Sequence, residues 1–423
     1  MSAGIGTPRL SARPRRPERP AGLLSLGVIV LVLSLIPYLC GYLLAQPETS
    51  FLGALNNIGD LSQYLAAIRQ GSTGAWHYTN QFSPDNARHL FIYTPYLLVG
   101  HVSLGLSPAA AFNVMRLFCA AAALYALASF CRLFIGPFAL RACWLFVVLA
   151  GGLYWLALPL SAFVPGLIDP ASLTAPELSP LITMLVSPHE SLGLAAELMG
   201  FFFILRAAGA DGPLWAENRP RAVDRAGKAR LVAGAAASFF VLALSYPFLL
   251  PTVGLVLFVY AAIAARSAWN ARIAAAMPKR RLRASEVFLA ELRTIVIALI
   301  PAGIVGVYYL NVFRWDPLWS HSGMAQVGRP DFGVLLFAFG ALAIGAYSGA
   351  RRLLALRLSG GDATAAAWAW FPLIWAIVNF CTLTLPIWQQ GRQALGLTVP
   401  LALLSFLSLA GPRVVTDGMR GAL

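Results

Sequence analysis

The chain has 423 residues, 59% hydrophobic and only 11% charged, with a mean hydropathy of +0.72; no soluble core hides that much apolar surface, which excludes a soluble enzyme. A formal net charge of +14 points to nucleic acid in a soluble protein, but here most basic residues fall in a few segments between apolar runs, so the charge is a topology signal and no nucleic-acid partner is expected. The five cysteines, Cys40, Cys119, Cys131, Cys143 and Cys381, lie in or beside apolar runs without CxxC or Cys/His spacing, which predicts packing residues rather than disulfides or a metal site.

Residues 1–21 form a basic, proline-rich tail with Arg9, Arg13, Arg15, Arg16 and Arg19, expected to be disordered and cytoplasmic. Gly22 to Ala45 is too long for a signal-peptide core and is read as an uncleaved first helix. The following loop, residues 46–89, is long and expected outside the cytoplasm. Within it, Phe51 to Gln70 spaces Leu52, Leu55, Leu61, Tyr64, Leu65 and Ile68 mostly three and four residues apart, which predicts a short amphipathic helix on the membrane surface, ended by Gly71 and Gly74.

Further apolar runs follow at Leu90 to Leu106, Ala109 to Phe130, Ala142 to Leu160, Ser191 to Leu205, Leu231 to Phe248, Thr252 to Ala265, Thr294 to Tyr309, Phe332 to Tyr347, Ala365 to Leu385 and Leu395 to Ala410. Each is read as a membrane crossing. Basic clusters at Arg206 to Arg230, Arg266 to Arg293, Arg351 to Arg357, and Arg413 and Arg420 mark cytoplasmic connections, and put the segments around Pro247 to Pro251, Asn311 to Asp331 and Pro386 to Gln393 outside. One conflict arises: the first outer loop and Asp169 to Glu190 are both placed outside, yet three runs separate them where an even number is needed. The expected fold is therefore an all-α, polytopic transmembrane bundle of about ten to twelve helices. Residues 22–412 form one membrane domain, residues 413–423 a cytoplasmic tail, and the location is the cytoplasmic membrane with the lipid bilayer as solvent.

Ionisable groups at the outer face are few, and a carboxylate beside hydrocarbon is costly unless paired or used. Asp60, in NNIGDLSQYLAAIRQGSTGAW, stands on the polar side of the amphipathic stretch; it either caps that helix or carries chemistry. Asp169, Glu177 and the segment SPHESLGLAAE form a second group. His189 and Glu190 start an apolar helix, as caps or as an acid/base or phosphate contact. Glu197, seven residues beyond Glu190, falls on roughly the same face about two turns into the membrane, and so faces the bundle interior or a wet cavity. Trp315 and Trp319 stack on a sugar ring or belong to the interfacial aromatic belt. Arg88, Arg314, Arg329 and Arg392 lie at the outer face, where arginines anchor helix ends in lipid headgroups or bind phosphate.

The layout resembles the GT-C superfamily of membrane glycosyltransferases, of the protein-mannosyltransferase-like kind that take sugars from polyprenyl-phosphate carriers. A basic N-terminus, one helix and a long outer loop with an acidic residue are followed by alternating helices and outer loops. DLSQYLAAIRQGSTGAW is similar to the family's first-loop motif, and HLFIYTPYLLVGHV and VMRLFCAAAALYALASFCRLF, with Arg116, are similar to the next two helices. The resemblance implies a hexosyltransferase with Asp60 as general base, the outer arginines holding a polyprenyl-phosphate sugar donor, and an unspecified acceptor. No DxD motif occurs, so no cofactor or metal ligand set is assigned and a divalent metal stays an open question. A transporter or flippase, with Glu197 on its path, is the alternative. A silent assembly or lipid-binding protein is a third.

Overall fold

The computed structural model describes residues 21–46, 48, 50–55, 58–83, 88–153, 156, 160, 163–164, 175–210, 224–274, 284–323, 330–359, 367–385 and 389–410. Asp169, Arg329 and the two tails beyond these limits lie outside the described residues. The described part is all-α apart from one isolated antiparallel bridge, Tyr78 with Leu90. Its helices are α1 (Ala21–Leu33), α2 (Ile36–Leu43), α3 (Ile58–Ser72), α4 (Thr94–His101), α5 (Pro108–Cys131), α6 (Pro137–Val148), α7 (Pro180–Val186), α8 (Pro188–Ala207), α9 (Arg225–Ser245), α10 (Leu250–Ala274), α11 (Ala284–Trp315), α12 (Pro317–Gly323), α13 (Phe332–Leu335), α14 (Ala341–Ser359), α15 (Phe371–Thr384) and α16 (Thr398–Leu409). Among the described residues seven helical segments are long and apolar enough to cross a membrane, and Pro137–Val148 and Trp368–Thr384 are shorter apolar helices. The protein is a multi-pass membrane protein.

Helix starts follow local chemistry. Ser107 accepts from the Ala110 amide ahead of Pro108, and Asp224 accepts from Gly227 at 2.9 Å, so each satisfies an orphan N–H of a first turn. The buried spine is α8, which packs on both α5 and α9. Its Gly193 and Gly200 leave room for Tyr246 and Phe239, whose side chains a Cβ at either position would strike.

The expected crossing at Leu90 to Leu106 is corrected. That stretch holds only the eight-residue α4, about 12 Å of helix against the ~30 Å of a hydrocarbon core. Its start is set by Tyr93 in the left-handed region (φ 55°) with Pro95 behind it, and its end by a left-handed Leu104-Gly105 pair. Instead of crossing, α4 lies on α3, backbone to backbone. The α-carbon of Gly71 sits against the Leu97 carbonyl and that of Gly100 against the Ile68 carbonyl. With α4 removed from the count, the described helices between the first loop and Glu177 are α5, long enough to cross, and the shorter apolar α6.

Gly71→Val is expected to destabilise by about 1–3 kcal/mol, because a side chain there meets backbone that cannot turn aside. The measurement is the thermal midpoint of detergent-purified protein. Gly59→Ala, with open space around it, leaves the midpoint unchanged.

From α8 onward the chain runs alternately up and down. Residues 188–190, 246–249, 309–319 and 389–393 thereby reach one end of the bundle, while Arg206, Arg225, Lys228, Arg230, Arg266, Arg351 and Arg352 fall at or toward the other. The α3–α4 pair closes over the first of these ends.

Candidate active site

Under α3 and α4 is an open cavity of about 470 Å³ whose wall includes Asp60, Gln63, Tyr64, Asn80, Tyr93, Tyr96, His189, Tyr246, Phe248, Tyr309, Trp319, Gln389 and Arg392. Seven separate parts of the chain supply it. Asp60 comes from the first turn of α3, where the unpaired N–H groups of the helix start favour a negative charge. His189 opens α8, and Arg392 stands on the 3-10 turn Gln390–Ala394.

A smaller cavity of about 210 Å³ adjoins it, lined by Leu61, Phe112, Glu177, Ser187 and Glu190. Tyr64 and Arg392 belong to both walls. The two chambers thus share one aromatic ring and one guanidinium.

Hydrogen bonds fix the polar groups. Tyr93 Oη donates to Gln63 Oε1 at 2.7 Å. The Tyr96 and Ser187 hydroxyls lie 2.7 and 3.0 Å from His189 Nδ1, leaving Nε2 3.9 Å from Glu190 Oε1. Tyr246 Oη donates to Glu177 Oε1 at 3.0 Å. The Arg392 guanidinium lies 5.0 Å from the Phe248 ring centre and 5.9 Å from that of Tyr246, and its Nε donates to Gln389 Oε1 at 3.2 Å. Tyr64 stacks on Tyr96 at 4.5 Å, and Trp319 meets Tyr93 edge-on at 5.9 Å.

Two non-glycine residues of the wall, Tyr93 (φ 55°) and Gln389 (φ 56°), hold left-handed backbone. Such strain persists only where surrounding contacts over-determine it, and it concentrates at functional sites. Electrostatics place the charges too. Burial first, and then the Asp60 carboxylate, push the Tyr64 and Tyr93 hydroxyls well above their ordinary range. For Tyr246, burial and then Glu177 push upward while Arg392 pulls down.

Of the residues singled out from the sequence, Asp60, His189, Arg392 and Trp319 meet in the larger cavity, and Glu177 and Glu190 with Arg392 in the smaller. Arg314 and Trp315 do not reach either. Trp315 is 70% exposed, with the Arg314 guanidinium 5.3 Å over its ring, the arrangement of an interfacial belt. The Arg88 side chain is 69% exposed and sits 3.9 Å from Asp316 Oδ2, whose other oxygen caps α12 through the Leu318 and Trp319 amides. Among the described residues no group of three or more His, Cys, Asp or Glu is placed to hold a metal ion. From the sequence Tyr64 has only a place on the apolar face of its helix, and Tyr93, Tyr96 and Tyr246 are passed over; the signal available for these three was a phenol, where phenylalanine would do for packing, in YTPY and SYPF at the ends of apolar runs.

Tyr246→Phe removes the hydrogen bond by which a residue of the larger chamber holds Glu177 of the smaller. It is expected to lower stability by about 1.5–3 kcal/mol, checked by thermal unfolding.

No protein-family model matches the chain, and no curated protein matches it. Among solved structures it is similar to the archaeal oligosaccharyltransferase AglB from Archaeoglobus fulgidus in complex with an inhibitory peptide and a dolichol-phosphate. That match has a TM-score of 0.55 and 12% identity, and covers 95% of this chain and 52% of that one. It is likewise similar to the Archaeoglobus fulgidus oligosaccharyltransferase in the apo form, with a TM-score of 0.52 and 13% identity over 93% of this chain and 51% of that one. The chain therefore spans about half the length of the structures it matches. At these identities the likeness is one of fold alone.

Proposed function

We propose that the protein is a membrane glycosyltransferase that moves a sugar from a polyprenyl-phosphate-linked donor to an acceptor at the extracytoplasmic face. The observation that carries this reading is the meeting of Asp60 and Arg392 in one aromatic-walled cavity, at the end of the bundle opposite the one that carries Arg206, Arg225, Lys228, Arg230, Arg266, Arg351 and Arg352. By the positive-inside tendency that basic end faces the cytoplasm. Residues 22–412 are then the membrane domain, with cytoplasmic tails at 1–21 and 413–423. The AglB neighbour is in complex with a dolichol-phosphate, a lipid-linked phosphate, which supports the donor class on a shared fold.

In this reaction Asp60 takes the proton from the acceptor's nucleophilic atom as that atom attacks the anomeric carbon. The bond from that carbon to the carrier phosphate oxygen breaks, and its electron pair leaves with the phosphate. The departing group needs charge stabilisation rather than a proton, and Arg392 supplies it from the cavity wall. The rings of Trp319, Tyr93 and Tyr96 give the sugar flat apolar faces, and Gln63 and Asn80 give it hydrogen-bonding amides.

A transporter would require discontinuous helices meeting near the midplane. The helices whose ends carry His189, Tyr246 and Tyr309 into the cavity, α8, α9, α10 and α11, run unbroken; the interruptions at Ser34–Leu35 and at the π turn Leu336–Gly340 do not line it, which favours the enzyme.

The test uses proteoliposomes loaded with a synthetic polyprenyl-phosphate sugar labelled on the sugar. The proposal expects label to pass to added acceptor extracts at the cavity face. Movement of intact donor between leaflets with no release of the carrier phosphate would favour the flippase reading instead.

A further inference from the structure

Beneath the cavity the bundle buries a polar group that the proposed reaction does not use. Glu197 of α8 is fully buried, and neither carboxylate oxygen has a hydrogen-bond partner. Facing it is α15, where Trp375 and Asn379 are one turn apart and also fully buried. The two helices touch here, since Phe201, one turn beyond Glu197, meets the Trp375 ring edge-on at 5.1 Å. The Trp375 indole N–H and Asn379 Oδ1 have no partner either.

The third wall is Gly396, in left-handed backbone (φ 83°); a Cβ built there would lie 2.5 Å from Glu197 Oε2 and 3.0 Å from Trp375 Cζ2. Three side-chain oxygens and one indole N–H in this buried layer thus all lack partners. Buried polar atoms without partners are rare because each keeps the cost of leaving water. A metal cation finds an N–H in the way, an anion meets Glu197, and an apolar group leaves all four atoms unpaired. Water accepts from an indole N–H and donates to carboxyl and amide oxygens, and buried water characteristically sits on such groups.

From this layer a column of hydrogen bonds climbs to the cavity. Asn379 Nδ2 donates to the Leu395 carbonyl at 3.4 Å, and Thr382 Oγ1 to the Asn379 carbonyl at 2.9 Å. Thr252 Oγ1 lies 3.1 Å from Thr382 Oγ1 and 2.6 Å from Gln393 Oε1, and Gln393 Nε2 donates to the Phe248 carbonyl at 2.9 Å. Gln393 is the residue after Arg392, and Phe248 is the ring against which that guanidinium rests.

We infer that Glu197, Trp375 and Asn379 form a buried hydration site whose ordered water fixes the Gly396 turn and, through it, the position of Arg392 in the cavity. Glu197 is a positioning residue, remote from the reacting atoms. The bearing of this site on donor binding rests on the role proposed above for Arg392; the hydration and the placement of the side chain do not.

The test compares ligand-free cryo-electron microscopy structures of the full chain in nanodiscs as wild type, Glu197→Gln and Glu197→Leu, with the affinity of each for geranylgeranyl phosphate. Water density between Asn379 Oδ1 and the Trp375 indole is expected in the wild type and the Gln variant, with Arg392 in one position. The Leu variant loses the water, Arg392 shifts, and affinity falls by about tenfold or more. If that variant does not fold, Gly396→Ala presses on the same point from the turn and gives the same signature. Absence of ordered water in the wild type, or an unmoved Arg392 when Glu197 is Leu, overturns the inference. A wild type that binds no polyprenyl phosphate sinks the donor assignment, while the structural comparison still decides the hydration site.

Discussion

Asp60→Asn lowers sugar transfer by about 10²–10⁴-fold and leaves donor binding intact, the signature of a lost general base. The substitution keeps size and hydrogen-bonding shape. It also keeps a side-chain oxygen in the first turn of α3; the lost charge at the helix start costs about 0.3–1 kcal/mol, too little to undo the fold. What it removes is proton affinity. Asp60→Glu is expected to fail as well, although it keeps the carboxylate. Lengthening the side chain by one methylene displaces the base, and misplacement by about 1 Å costs on the order of 10²-fold. A merely structural Asp60 would tolerate one of the two changes; a base tolerates neither.

Arg392→Ala raises the donor KM by about 10–150-fold, the equivalent of the 1.5–3 kcal/mol carried by a hydrogen bond to a charged group. The same change takes the counter-charge away from Glu177 and Glu190, so it also lowers the thermal midpoint. Arg392→Lys separates the two effects. Lysine restores a positive charge and with it the midpoint, but a point charge lacks the planar fork that grips a phosphate, and only part of the donor affinity returns. Loss of stability without loss of donor affinity in the Ala variant would make Arg392 a structural counter-ion and nothing more.

Much of the architecture was legible because bilayer physics writes it into the sequence as long apolar runs with basic segments at alternate ends. The helix of the first loop was legible through its three- and four-residue spacing, although it begins at Ile58 rather than Phe51 and runs through Gly71, which was expected to end it, to Ser72. The misread run, Leu90 to Leu106, is apolar enough to cross but is interrupted by features that hydropathy averaging hides, a left-handed Tyr93, Pro95 and the Leu104-Gly105 turn. What holds it on α3 is a pair of glycines, Gly71 and Gly100, that meet only in three dimensions. Each glycine alone looks like a turn.

The candidate site was legible in part. Asp60 and His189 could be picked out because an ionisable group at the edge of hydrocarbon is informative by itself. Arginines and tryptophans could not be sorted that way, since Arg314 and Arg392, or Trp315 and Trp319, have the same composition around them. Position decides between them: Trp315 ends α11 facing outward, whereas Trp319 is one turn into α12 and buried at 7% exposure against Tyr93 and Tyr78. Glu197 was expected to face the interior, and it does, but the companions that give it meaning, Trp375, Asn379 and Gly396, come from about 180 to 200 residues further along the chain, beyond the reach of any local spacing rule.

The most direct test of the account is single-turnover transfer of labelled sugar from a synthetic polyprenyl-phosphate donor by purified protein in nanodiscs, wild type beside Asp60→Asn. The account predicts that the wild type passes label to an acceptor and releases the carrier phosphate, while the variant binds the donor equally well and transfers at least a hundredfold more slowly. Equal transfer by both proteins would contradict the assignment of Asp60. A wild type that binds the donor yet never breaks its sugar–phosphate bond would contradict the enzyme itself.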